Sequence, residues 1–129
     1  GVALATLTAS LARAEGPVLP SGGQVVAGMA TITAGPAALS IQQASSRAVI
    51  DWAGFSIGAG GAVHFANGAG ATLNRVQAGD VSRIAGELSA TGSLYLINPA
   101  GVVVDAGGRV LTGGHFIASS RALAADSFM

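Results

Sequence analysis

Glycine cuts this chain into short apolar pieces, and that punctuation limits the folds open to it more than any other feature. After residue 14 glycines recur every few residues, singly or in pairs, and the runs between them alternate apolar with polar side chains. Ala38 to Gln42, Arg47 to Trp52, Val63-His64-Phe65 and Ala71 to Val76 each read as a strand. In the last of these, Leu73 and Arg75 share one face and Asn74 and Val76 the other. Phe55-Ser56-Ile57, Glu87 to Thr91, Ser93 to Ile97, Val102 to Val104, Arg109 to Leu111 and His115 to Ala118 continue the series. Gln24 to Thr33 reads as a strand pair or one long bulged strand, and Ala78 to Arg83 as a loop. Ser119 to Met129 alone has a helical look.

Charged residues make up 9% of the chain, too few to solvate the outer faces of a helical bundle. Disorder is equally excluded, because half the residues are hydrophobic and the net charge is zero. Two all-β architectures remain. A sandwich or barrel needs strands of matched length joined by hairpins. A parallel β-helix needs short strands, sharp corners and small residues at the bends. The corner glycines and the wealth of alanine and valine favour the β-helix. Six arginines balance six acids and lysine is absent, so no basic patch for nucleic acid forms. Cysteine is absent too, so stability rests on stacking and backbone hydrogen bonds rather than on disulfides.

The sharpest local pattern lies at Gly92 to Val102, where an aromatic and β-branched strand runs into Asn98-Pro99-Ala100-Gly101. Pro99 suits the second position of a turn, Asn98 bonds locally at the first, and Gly101 takes the positive φ that releases the chain. At the other end, the apolar run Val2 to Leu11 is too short to span a bilayer, which needs ~20 helical residues. Ala12-Arg13-Ala14 follows with small residues where a signal peptidase requires them, at Ala12 and Ala14. Residues 1–14 are therefore expected to be the remnant of a signal peptide, with residues 15–129 the mature part; a short buried helix is the other reading of the run.

Several of these segments, in order, resemble one family. Leu19-Pro20 with Gly22, Val25 and Gly28, then Ser46 to Trp52 with Phe55 and Ile57-Gly58, look like the opening of the filamentous haemagglutinin N-terminal domain. Leu73-Asn74-Arg75-Val76, Ser82-Arg83-Ile84 with Gly86 and Leu88, and Leu96-Ile97-Asn98-Pro99 with Gly101-Val102 continue it. This is the two-partner secretion domain of large Gram-negative surface exoproteins. The resemblance implies a right-handed parallel β-helix with N-terminal capping strands, incomplete here. It implies secretion, through the periplasm by the Sec machinery, to the medium or the outer cell surface. The implied partner is an outer-membrane β-barrel transporter that reads the domain through its periplasmic domains. A missing passenger would contact host glycans or receptors. Arg47, Asp51, Trp52, Phe55, Asn74 and Arg75 fall on the family pattern, and Asn98, Pro99 and Gly101 on its secretion and folding motif. Ala100 stands where the family most often has a second asparagine, and a further Asn-Pro-Asn-Leu motif of some members is absent.

Other chemistry finds little support. His64, between Val63 and Phe65, points away from both and reads as a surface residue rather than a ligand; His115 is similar. Asp51, Asp80, Asp105 and Asp126 are too sparse for calcium-binding repeats. No zinc spacing, phosphate loop or nucleophile elbow is complete, so no metal, cofactor or enzymatic activity is expected. Gly58 to Gly61 and Gly68 to Gly70 read as turns. The rival reading is a β-helix that binds or cleaves polysaccharide, which needs Asp51, Asp80 or Glu87 to converge, or Asp51 and Trp52 to hold a sugar.

Overall fold

In a computed structural model, residues 17–77, 79–121 and 125–129 are described. The chain begins with β1 (Gln24–Ala27) and β2 (Ala30–Ala34) and continues through β3 (Ala38–Gln43) and β4 (Arg47–Trp52). Next come β5 (Ala62–Ala66), β6 (Ala71–Val76), β7 (Ser82–Ile84), β8 (Glu87–Ala90), β9 (Ser93–Ile97) and β10 (Val102–Val104). Last are β11 (Arg109–Thr112), β12 (Phe116–Ser119) and a single helical turn, Ala125–Phe128. They form three faces of a coil: one sheet ordered β1-β4-β6-β9-β12, a second ordered β2-β3-β5-β8-β11, and a third made of β7 and β10. From β3 onward every pairing is parallel, whereas β1 on β4 and β2 on β3 are antiparallel. The result is a parallel β-helix of about four turns, closed at one end by two antiparallel capping strands.

Register explains the core. Leu39, Val63, Leu88 and Val110 stand in one ladder and Ala48, Thr72, Leu94 and Phe116 in another. Period-two alternation sends those side chains inward from each coil, where they stack on their counterparts above and below. Ile41, Ile57, Val63, Phe65, Ile84 and Leu96 are fully buried. Polar residues enter this interior only with partners: among the described residues no buried side-chain nitrogen or oxygen lacks a hydrogen bond. Corners are tight enough to exclude a side chain. A Cβ on Gly70 would fall on the Ser46 carbonyl oxygen of the coil beneath, and one on Gly92 on that of Gly70.

Four local expectations change. Ser82–Ile84 is a strand rather than part of a loop, because it pairs in parallel with Val102–Val104. Phe55 to Ile57 forms no strand and meets the third face through the Ile57–Ile84 bridge and through Ser56 Oγ, which accepts the Arg83 N–H at 3.0 Å. Gln24 to Thr33 holds two strands rather than one bulged strand, but β1 and β2 do not pair with each other and lie in different sheets. The helical look of Ser119 to Met129 reduces, among its described residues, to the turn Ala125–Phe128. The signal-peptide remnant, with Ala12 and Ala14, lies outside the described residues.

Candidate functional site

The residues singled out in the sequence fall into two groups, a belt across neighbouring strands and a corner. In the belt, β4 lies on β6 with Asp51 opposite Arg75, Ile50 opposite Asn74 and Trp52 opposite Val76. Arg75 grips Asp51 through two parallel bonds, Nε to Oδ1 at 2.7 Å and a terminal guanidinium nitrogen to Oδ2 at 3.0 Å. That fork geometry ties one coil to the next on the outer face. On the inner face the Trp52 indole Nε1 donates to Asn74 Oδ1 at 2.9 Å, and Asn74 Nδ2 donates to the Tyr95 carbonyl of the following coil at 3.2 Å. Trp52 meets Phe55 edge-to-face with centroids 5.3 Å apart. Both are buried in the main core, so neither presents a surface to a sugar.

Arg47 has a partner that the sequence did not point to. A guanidinium nitrogen donates to the Phe128 carbonyl at 2.7 Å, and the group lies 5.6 Å from the Phe128 ring centroid. Phe128 packs edge-to-face on Tyr95 at 5.2 Å and covers Val49, Leu73 and Ile97 on the outer face of the first sheet. Val49 and Leu73 point away from the coil interior yet are fully buried. The helical turn Ala125–Phe128 thus clips the outside of the stack, held by Arg47.

At the corner, Asn98-Pro99-Ala100-Gly101 forms a turn closed by the Gly101 N–H donating to the Asn98 carbonyl at 2.8 Å. Gly101 has φ of 111°, and nothing lies within 4 Å of the Cβ it lacks. Backbone conformation rather than space demands glycine there. Asn98 itself is 1% exposed and uses its whole amide. Nδ2 donates to the Asp80 carbonyl at 2.9 Å and to Ser82 Oγ at 3.0 Å, while Oδ1 accepts the Ala100 N–H at 2.9 Å. Its backbone N–H reaches forward to the Ser119 carbonyl at 2.9 Å. Asn98 therefore links three successive coils at one bend, whereas Pro99 and Ala100 are exposed.

A second asparagine plays the same part and was missed. Asn67, 3% exposed, donates from Nδ2 to Thr72 Oγ1 and to the Ser93 carbonyl, both at 3.0 Å. Its Oδ1 accepts the Gly92 N–H at 2.7 Å. Gly70 N–H closes its turn on the Asn67 carbonyl at 2.8 Å, the bond that Gly101 makes to Asn98. The signal was present: Asn67-Gly68-Ala69-Gly70 and Asn98-Pro99-Ala100-Gly101 share the pattern Asn-x-Ala-Gly.

Carboxylates do not converge. Asp51 sits on the first sheet, bound to Arg75, and Glu87 on the second. Among the described residues no group of three or more histidines, aspartates or glutamates could hold a metal. Asp80, Arg83 and Asp105 line an open groove of about 600 Å³ on the third face, where Arg83 meets Asp105 at 3.3 Å in solvent. His64 is exposed, its Nδ1 2.8 Å from Ser89 Oγ.

Comparison with known proteins agrees with this geometry. The chain is 36% identical over 100 residues to a heme/hemopexin-binding protein of Haemophilus influenzae strain Rd, covering 76% of this chain and 11% of that protein. It is 37% identical over 112 residues to another heme/hemopexin-binding protein of Haemophilus influenzae, covering 84% of this chain and 12% of its relative. The chain therefore spans only a small part of the length of the curated relatives it matches. The crystal structure of the HMW1 secretion domain from Haemophilus influenzae superposes with a TM-score of 0.77 at 28% identity, over 84% of this chain and 29% of that one. The TPS secretion domain family model matches residues 17–128, which span the capping strands, the belt, both asparagine corners and the Phe128 clip. This chain belongs to the TPS secretion domain family, and it is a secretion-targeting domain.

Proposed function

We propose that the chain directs a larger exoprotein to a partner outer-membrane β-barrel transporter, whose periplasmic domains read it before it folds. Residues 1–14 are then the remnant of an export signal used by the Sec machinery, and residues 15–129 the part that crosses the periplasm. The observation that carries this reading is the co-linear family match over residues 17–128, combined with a fold in which each coil is hydrogen-bonded to its neighbours in the stack.

Recognition by strand addition suits the unfolded chain: main-chain bonds supply affinity and alternate side chains supply selectivity. Gln24 to Thr33 and Val49 to Ile57 are the suitable segments. The second of these includes most of β4, which is paired on both edges once folded, so its use requires reading before folding. Outside the cell the coils would close in order upon the β1–β4 and β2–β3 caps. Each added coil buries an apolar strip worth ~25 cal/mol per Å², and that gain biases movement outward. Asn98, Pro99 and Gly101 set a bend on which the next coil is built. Arg47, Asp51, Trp52, Phe55, Asn74 and Arg75 lock the first coils together. Contacts with host glycans or receptors belong to the rest of the exoprotein.

The test is export of a reporter joined to the C-terminal end of this chain, in cells with and without a cognate transporter. The reporter is expected in the medium only when the transporter is present. Equal export without it overturns the reading.

A further inference from the structure

The capping strand β2 leaves an open edge whose sequence is its own mirror. Ala30-Thr31-Ile32-Thr33-Ala34 reads the same in both directions. Among the described residues β2 ends its sheet, paired with β3 on one side and with nothing on the other. Free strand edges are ordinarily blunted by charge, proline or a bulge. Here β1 carries the register shift, between Val25 and Ala27, while β2 runs in unbroken register from Ala30–Gln43 to Ala34–Leu39. Residues 16–46 contain no charged side chain at all. Met29, directly before the strand, is 68% exposed.

The phase of the β2–β3 ladder settles which groups face outward. Ala44 N–H donates to the Met29 carbonyl and Gly35 N–H to the Ala38 carbonyl, so odd-numbered residues of β2 bond to β3. The N–H and C=O groups of Ala30, Ile32 and Ala34 therefore point to the open side. Those three residues are symmetric about Ile32.

We propose that β2 is a homodimer edge: two copies of this chain pair β2 with β2, antiparallel, about a two-fold axis through Ile32. A two-fold interface must be self-complementary, and this edge is so both in side chains and in hydrogen-bonding phase. Ile32 meets Ile32 of the second copy in a hydrogen-bonded pair. Ala30 and Ala34 exchange bonds with Ala34 and Ala30 of the second copy, giving roughly six main-chain bonds in all. Thr31 stands opposite Thr33 of the second copy in a close, non-hydrogen-bonded pair, a favoured cross-strand match. The second sheets of the two molecules then become one continuous sheet. The proposal goes beyond secretion targeting and concerns the folded chain.

Sedimentation of the full chain over a concentration series tests it. The wild type is expected to pass from monomer to dimer. Thr33→Lys, which charges the edge, and Ala34→Pro, which removes an outward N–H and leaves the β3 bonds intact, are expected to remain monomers with unchanged circular dichroism. Because the chain has no cysteine, register can be read separately. Oxidised mixtures of Thr31→Cys and Thr33→Cys chains should give a covalent dimer that neither gives alone. A wild type that stays monomeric at every concentration overturns the proposal. So does a dimer that survives both edge variants, or cross-linking that ignores register.

Discussion

Two buried asparagines show how single residues hold the bends. Asn98 and Asn67 each satisfy the backbone of a neighbouring coil with a side-chain amide, at a depth where water cannot replace it. Asn98→Ala leaves the Asp80 carbonyl, Ser82 Oγ and the Ala100 N–H short of a partner, and is expected to cost about 2 kcal/mol in denaturant unfolding. Asn67→Ala should cost a similar amount. If Asn98 also serves secretion, its variant should reduce export more than the equally destabilised Asn67→Ala; equal loss would make both simply structural. Trp52→Phe tests the belt, since it keeps the aromatic bulk and orphans Asn74 Oδ1. A loss of about 1–3 kcal/mol is expected by thermal or chemical unfolding. The turn at Asn98 was legible because asparagine, proline and glycine each have a local reason to be there. The hub role of Asn67 was not, because Thr91, Gly92 and Ser93 stand 24 to 26 positions away on the next coil, which local turn chemistry does not reveal.

At the scale of elements, alternation located most strands, and it failed where a face is covered twice. In β4, Ala48, Val49 and Ile50 are consecutive and all fully buried. Val49 is covered by neither interior nor solvent but by the Phe128 clip. An apolar residue on the outer face was the sequence sign of that cover, though nothing local named the segment providing it. The short strand Ser82–Ile84 was hidden for a different reason: Gly79 and Asp80 carry turn chemistry, and only pairing with Val102–Val104 makes the next residues a strand. Phe128→Ala removes the ring from Tyr95, Val49 and Leu73 and is expected to cost about 3 kcal/mol. Arg47→Ala should cost less, about 1 kcal/mol, since its carbonyl bond and ring contact are only partly buried. Hydrogen exchange should then rise first in β4, β6 and β9, the strands beneath the clip. Uniform exchange across all coils would show that the clip does not act on that face.

For the molecule as a whole, the parallel stack, the antiparallel caps and the absence of cysteine suit the proposed closing coil by coil. Composition and glycine spacing favoured this architecture, and the family pattern pointed to it directly. What composition alone could not give was the identity of the capping pair, because β1 and β2 take opposite sheets from one continuous stretch. On the proposed function, such a chain has little to gain from folding before it reaches the transporter. A covalent loop formed early would obstruct passage. His64 and Ser89 stand opposite each other on the outer faces of β5 and β8, 25 residues apart in sequence, with their side chains already in contact. Adjacent strands lie about 4.8 Å apart, within the ordinary reach of a disulfide. Such a bridge leaves the core untouched and can close in the oxidising periplasm. The decisive measurement is export of the His64→Cys/Ser89→Cys chain with its transporter present, with and without reductant. Blocked export that reductant restores is the result predicted for a domain carried unfolded; full export of the bridged chain would contradict it.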